Sequence, residues 1–222
     1  MVKAYIFDYD NTVSDRERGQ YPKFKKFIKE NLSYNDEYEL EAIVQDLLVF
    51  DERGNTTILD RITKLQKKYK FSDEIVNKFV DYSLNFLEEE SYTFDDTIET
   101  LLELKKRGYK LGIITNGEDA LQMRKVKYTG LDKIMDEVIT SDAVKIEKPD
   151  VRIYQMMADR LGVKCEECVF VGDNFSTDIL GAYRAKMIPV LMFYDTHRCC
   201  DLDIYRISTL RELLTLEIKW KK

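Results

Sequence analysis

A chain of 222 residues with 44% apolar content can bury a sizeable core, which excludes a disordered or fibrous protein. Its 35 basic and 41 acidic residues, mixed along the chain, leave a net charge of -6 and argue against nucleic-acid binding by bulk electrostatics. No apolar run approaches the roughly 18 to 20 residues that span a bilayer, and the short amino-terminal apolar stretch stops at Asp8, so neither a membrane helix nor a signal peptide is expected and the cytoplasm is the expected compartment.

The first element is read from AYIFDYDNTVSD, residues 4–15. Tyr5, Ile6 and Phe7 lack the alternation of a half-exposed strand and predict a strand covered on both faces in a parallel sheet. Asp8, Asp10 and Thr12 follow at its carboxyl end, where open α/β sheets hold their ligands. The two aspartates, two residues apart, are expected to share one small volume. Their repulsion, roughly 1 kcal/mol in bulk water and several times that in a half-buried cleft, is relieved by a divalent cation or a proton.

Residues 16–90 carry helical periodicity instead: Phe24, Phe27, Ile28; Leu40, Ile43, Val44, Leu47, Leu48; Ile58, Leu59, Ile62, Leu65; and Ile75, Phe79, Val80, Tyr82, Leu84, Phe86, Leu87. This predicts a bundle of about four helices broken near 33–35, 51–55 and 69–72. Inserted just after the first strand, such a bundle would cover a ligand at the Asp8 edge. From Tyr92 the pattern becomes that of βα units: a helix over 95–107, a strand over 110–115, a helix over 119–128, a short strand over 137–140, a helix over 151–161, a strand over 168–172, a helix over 177–185 and a strand over 189–193. A short strand or loop and a helix are expected over 203–216, then a solvated tail with Trp220. The fold class is therefore α/β: a Rossmann-like parallel sheet flanked by helices (1–15 and 91–222), with a helical cap (16–90).

Cys165 and Cys168 form a C-x-x-C, and Cys199 and Cys200 are adjacent. The first pair runs straight into a strand, so the four are read as reduced thiols rather than as zinc ligands. His197 is the only histidine, and no nucleophile elbow accompanies it, so it is read as a loop residue.

Three strand ends supply groups that complement Asp8 and Asp10. Thr115, Asn116 and Gly117 offer a hydroxyl, an amide and a backbone N–H before a helix, all donors suited to phosphate oxygens. Lys148 precedes Pro149, which is expected to open a helix at its first turn. Asp173 and Asp178 add oxygen ligands of the kind magnesium prefers. Together FDYDNT, ITNG, EKPD and VFVGDNFSTDILGA resemble the motifs of the haloacid dehalogenase-like superfamily, over roughly residues 1–15 and 92–195.

The resemblance implies a magnesium-dependent phosphomonoester hydrolase. Asp8 would be the nucleophile that forms an aspartyl-phosphate, and Asp10 the general acid/base. Thr115 and the Asn116 amide would bind phosphoryl oxygens, while Lys148 neutralises nucleophile and phosphate. Mg2+ would be held by Asp8, the Asp10 carbonyl and Asp173, with Asp178 direct or through water. An acid at position 10 favours phosphate esters over dehalogenation. A phosphonatase using a lysine such as Lys23, Lys25 or Lys26, a phosphomutase, a phospho-aspartate receiver and a non-catalytic regulator remain alternatives; the three lysines are otherwise read as exposed helix charges. The expected partner is a small phosphorylated metabolite, such as a nucleoside monophosphate, phosphoglycolate or a sugar phosphate, with specificity from the cap and the loop over 15–21. Tyr21, Phe24, Tyr34 and Tyr38 could stack on a base but more simply fill a core. Among the departures from the family pattern, Lys186 stands where many relatives have glycine, and Cys165 where proline is common.

Overall fold

Ala4 and Ile6 pack on one face of a parallel sheet and Tyr5 and Phe7 on the other, all four buried, in a computed structural model that describes residues 1–85, 91–192 and 201–219. Successive side chains of a strand point to opposite faces, so an unbroken apolar run requires cover on both. The chain divides into two compact units, Met1–Ser14 with Thr93–Lys222, and Asp15–Tyr92.

Among its described residues the first unit holds six parallel strands: β1 (Ala4–Phe7), β2 (Lys110–Thr115), β3 (Glu137–Thr140), β4 (Cys168–Gly172), β5 (Ile188–Met192) and β6 (Tyr205–Ile207), in the order β3-β2-β1-β4-β5-β6. β1 pairs with β2 through Phe7 opposite Ile113 and with β4 through Phe7 opposite Val171. The chain runs outward from β1 through β2 to β3, then returns to β1's other side with β4. This reversal opens a crevice at the carboxyl ends of β1 and β4, where ligands of doubly wound sheets bind.

The other unit contains α1 (Arg16–Asn31), α2 (Glu37–Asp51), α3 (Ile58–Tyr69) and α4 (Asp73–Asn85). Side chains of Asp15, Asp36 and Thr57 cap the first three by accepting amides of Arg18, Tyr38 with Glu39, and Asp60. The helices bury Phe24, Phe27, Ile28, Leu40, Ile43, Val44, Leu47, Ile62, Leu65 and Phe79 against one another. Phe24 is thus core, as are parts of Tyr21 and Tyr34, while Tyr38 is exposed. Lys23 corrects the expectation of an exposed charge: it is 1% exposed, donates to the Ser83 carbonyl at 3.1 Å, and lies over the Tyr82 ring. A helical period marks which face a residue lies on, but it does not reveal a carbonyl waiting on that face. Phe86 and Leu87 lie outside the described residues.

In the sheet unit, α5 (Thr97–Lys106) and α6 (Asp119–Tyr128) cover the face of Tyr5 and Phe7, through Leu101, Leu104 and Val126. The opposite face is covered by α8 (Val151–Leu161) and α9 (Leu180–Arg184), through Ile153, Tyr154, Met157 and Ala182; a one-turn α7 (Ser141–Val144), not expected from the sequence, follows β3. The helix expected over 177–185 instead starts as a π-helical turn, Phe175–Ile179. Only β6 and a 3-10 helix, Leu210–Leu214, form in the last segment. Among the described residues no helix is long and apolar enough to cross a membrane. Phe193, His197, Cys199, Cys200 and Trp220 lie outside the described residues.

Candidate active site

Asp8 is the first residue beyond β1, its amide still donating to the Val171 carbonyl at 2.9 Å, so its carboxylate emerges from the crevice between β1 and β4. Asp173 leaves β4 at the same edge, and Asp178 turns back from the π-helical turn. One carboxylate oxygen from each of Asp8, Asp173 and Asp178 lies within 4.8 Å of the others, and all three residues are buried. The approach is close because Gly172 has no side chain: a Cβ there would lie 2.4 Å from that of Asp178. Asp178 is held further by the Asn174 amide, at 3.0 Å from its Oδ2.

Lys148 enters this cluster from the loop before α8, its Nζ 2.5 Å from Asp8 Oδ1 and 2.7 Å from Asp178 Oδ1. Its backbone is clamped by Asn116, whose Oδ1 accepts the Lys148 amide at 2.9 Å while its Nδ2 donates to the Lys148 carbonyl at 3.1 Å. Asn116 therefore spends its side chain on aiming the lysine. Pro149 does not open the helix, as the sequence reading expects: the Lys148–Pro149 bond is cis, and Asp150 caps α8 by accepting the Arg152 amide.

Burial pushes the Asp8 carboxyl up to about 8; Lys148 opposes the shift, and Asp178 and Asp173 reinforce it. For Lys148, burial works against the ammonium, but Asp178 and Asp8 outweigh it and hold the group above its ordinary value. The lysine stays charged, and the carboxylates compete for what it cannot neutralise. Three carboxylates against one ammonium leave a formal charge of minus two. Hard oxygen donors with that deficit fit a divalent cation such as magnesium.

Asp10 does not belong to this trio. Asn11, at φ 60°, folds the loop so that the amides of Thr12, Val13 and Ser14 converge on the Tyr9 carbonyl. The Asp10 carboxylate meets Lys125 Nζ, at 2.8 Å from Oδ1 and 2.6 Å from Oδ2, and has Gln122 Nε2 at 3.3 Å. The Asp10 carboxylate, expected to crowd that of Asp8, is thus met by an ammonium from α6. Gln122 Nε2 also donates to Thr115 Oγ1 at 2.9 Å, and a hydroxyl that accepts there keeps its own proton to donate. The Gly117 N–H, expected to be available for phosphate, is taken by Ser141 Oγ at 3.0 Å.

Sequence reading misses Gln122, Lys125 and Tyr154. The first two are legible only as a three-residue spacing on the helix after ITNG, a common pattern on any helix face. Tyr154, buried on α8, donates its hydroxyl to the Thr177 carbonyl at 2.5 Å and so anchors the turn that carries Asp178. Gly181 makes room for it, since a Cβ there would lie 2.3 Å from the tyrosine oxygen. Burial raises the thiols of Cys165 and Cys168, the latter to about 12, which suits inert structural cysteines.

The site is thus an acidic trio and a buried lysine at the switch point of a doubly wound, Rossmann-like parallel sheet. The chain belongs to the haloacid dehalogenase-like hydrolases, whose family model matches residues 2–186, and it is an enzyme of the HAD-like phosphatase kind. Among its relatives, a glyceraldehyde 3-phosphate phosphatase of Methanothermobacter thermautotrophicus is 33% identical over 200 residues, 86% of each chain. A HAD phosphatase from Thermococcus onnurineus is 30% identical with a TM-score of 0.64, covering 96% of this chain and 97% of that one. The magnesium-bound HAD-hydrolase YfnB from Bacillus subtilis shares the fold at a TM-score of 0.79 and 22% identity, covering 98% and 99%.

Proposed function

We propose that this enzyme hydrolyses a small phosphomonoester, a three-carbon sugar phosphate foremost, through an aspartyl-phosphate on Asp8. The observation that carries the reading is the Asp8 carboxylate at the β1 edge, gathered with Asp173 and Asp178 and bonded to Lys148. The substrate class rests on the glyceraldehyde 3-phosphate phosphatases that are 33% and 31% identical to this chain over 86% and 96% of its length. Asp8, Asp173 and Asp178, with the Asp10 carbonyl, would hold Mg2+, which when bound offsets the charge of nucleophile and phosphoryl oxygens.

In the first step a bond forms from the Asp8 carboxylate to phosphorus as the bond to the leaving oxygen breaks, and that oxygen takes the proton of Asp10. In the second, water attacks phosphorus, gives its proton to Asp10, and releases phosphate as the Asp8 bond breaks. Lys148 neutralises charge on both sides of the transfer, and Thr115 donates its hydroxyl to a phosphoryl oxygen. The helical insertion over 16–90, which falls within the unit Asp15–Tyr92, is assigned the role of a cap, because it follows directly on the loop bearing Asp8 and Asp10. The test is turnover of glyceraldehyde 3-phosphate, nucleoside monophosphates and phosphoglycolate, with Mg2+ and with excess chelator, beside Asp8→Asn. Metal-dependent turnover that the variant lacks is expected, with the triose phosphate preferred; equal turnover by Asp8→Asn would overturn the mechanism.

A further inference from the structure

The pair on α6 has no part in the mechanism above, yet it touches two of its groups. Lys125 is 6% exposed, an unusual burial for a lysine, with its ammonium 5.0 Å from the centre of the Tyr9 ring and in contact with both carboxylate oxygens of Asp10. Gln122, 7% exposed, reaches Asp10 Oδ2 at 3.3 Å, Thr115 Oγ1 at 2.9 Å and the Asn116 carbonyl at 3.0 Å with a single nitrogen. We propose that Lys125 is a positioning residue for Asp10, fixing the acid/base carboxylate for proton transfer, and that Gln122 chiefly positions Thr115.

The division of labour follows from donor count. An amide nitrogen has two hydrogens, and three acceptors face Gln122 Nε2, of which Asp10 is the most distant. Gln122 thus serves the phosphate-binding strand end, and orienting Asp10 falls to Lys125. An ammonium over both oxygens restrains the carboxylate's rotation. The reaction asks the same carboxylate to deliver a proton to one oxygen and collect one from another at nearly the same place. A carboxylate free to rotate would meet that geometry for only a fraction of the time. A purely structural ion pair would have no reason to share a donor network with the phosphate-binding threonine.

This inference rests on the phosphatase reading, so Asp8-dependent turnover by the parent enzyme is established first; its absence would be a failure of that reading, not of the clamp. Lys125→Met, Lys125→Arg and Gln122→Met are then compared with p-nitrophenyl phosphate, whose phenolate leaves without a proton, and with an alkyl phosphate, with circular dichroism to verify folding. In Lys125→Met, rapid mixing is expected to give a burst of one phenolate per enzyme followed by steady-state turnover lowered by on the order of 100-fold, because only the hydrolysis of the phosphoenzyme then needs Asp10. The alkyl phosphate should show no burst. Lys125→Arg should recover most of kcat, and Gln122→Met should raise KM more than it lowers kcat. Turnover by Lys125→Met within twofold of the parent would overturn the proposal, and so would parallel loss of burst and turnover in a folded variant. Should Lys125→Met fail to fold, the same burst is read in Lys125→Gln.

Discussion

Removing the Asp8 charge should make the metal-free protein more stable, and only above the acid range. The Asp8 carboxyl is raised to about 8 from an ordinary value of 3.8, and it is buried. A carboxyl that holds its proton more tightly when folded contributes fully below its unfolded pKa, and that contribution is lost as pH rises through its folded value. Between about pH 4 and 8 the loss runs at roughly 1.4 kcal/mol per pH unit, on the order of 5 kcal/mol in all, with Lys148 and neighbouring carboxylates sharing part of it. Asp8→Asn cannot ionise, so it should match the parent only at or below about pH 4 and exceed it by a few kcal/mol at pH 8 in excess chelator. Urea unfolding at the two pH values measures this directly, and Mg2+ should reverse the order at pH 8 by stabilising the parent. A difference between the two proteins that does not change with pH would refute the account of Asp8 as a buried, under-neutralised carboxyl.

Lys148→Met should abolish turnover and cost about 3 to 5 kcal/mol in metal-free unfolding, because Asp8 and Asp178 lose the buried ammonium they share. Tyr154→Phe removes the hydroxyl bonded to Thr177; calorimetric titration should show several-fold weaker Mg2+ binding, with kcat at saturating metal near that of the parent and a stability loss of about 1 kcal/mol. Lys186 occupies a turn at φ 63°, a conformation that costs a lysine about 1 kcal/mol and glycine little, so Lys186→Gly should raise the unfolding free energy by about 0.5 to 1 kcal/mol without changing activity.

Lys186 also shows how a sequence signal acquires a cause. As a letter in the chain it is a departure from a glycine; in the structure it is the residue whose amide closes the turn after α9 on the Tyr183 carbonyl. The strands over 110–115, 137–140 and 168–172 and the helices over 119–128 and 151–161 are legible from apolar runs and periodicity, since those patterns report burial one residue at a time. The π-helical turn at Phe175–Ile179 is not, because its width accompanies the commitment of Asp178 to Lys148 and to the Asn174 amide rather than any local preference.

The sequence by itself determined which chemical groups gather at the carboxyl edge of the sheet: Asp8, Thr115 and Asp173 by a strand that stops at or beside each, and Lys148 and Asp178 by the short motifs that follow β3 and β4. Tertiary structure alone decided how those groups are partnered. Asp10 is drawn to Lys125 across 115 positions of chain, Lys148 is aimed by Asn116 across 32, and Tyr154 supports the turn of Asp178 from 23 residues away. Local patterns encode burial and backbone preference, whereas these contacts depend on the crossing order of strands and the facing of helices, which only the packed chain specifies.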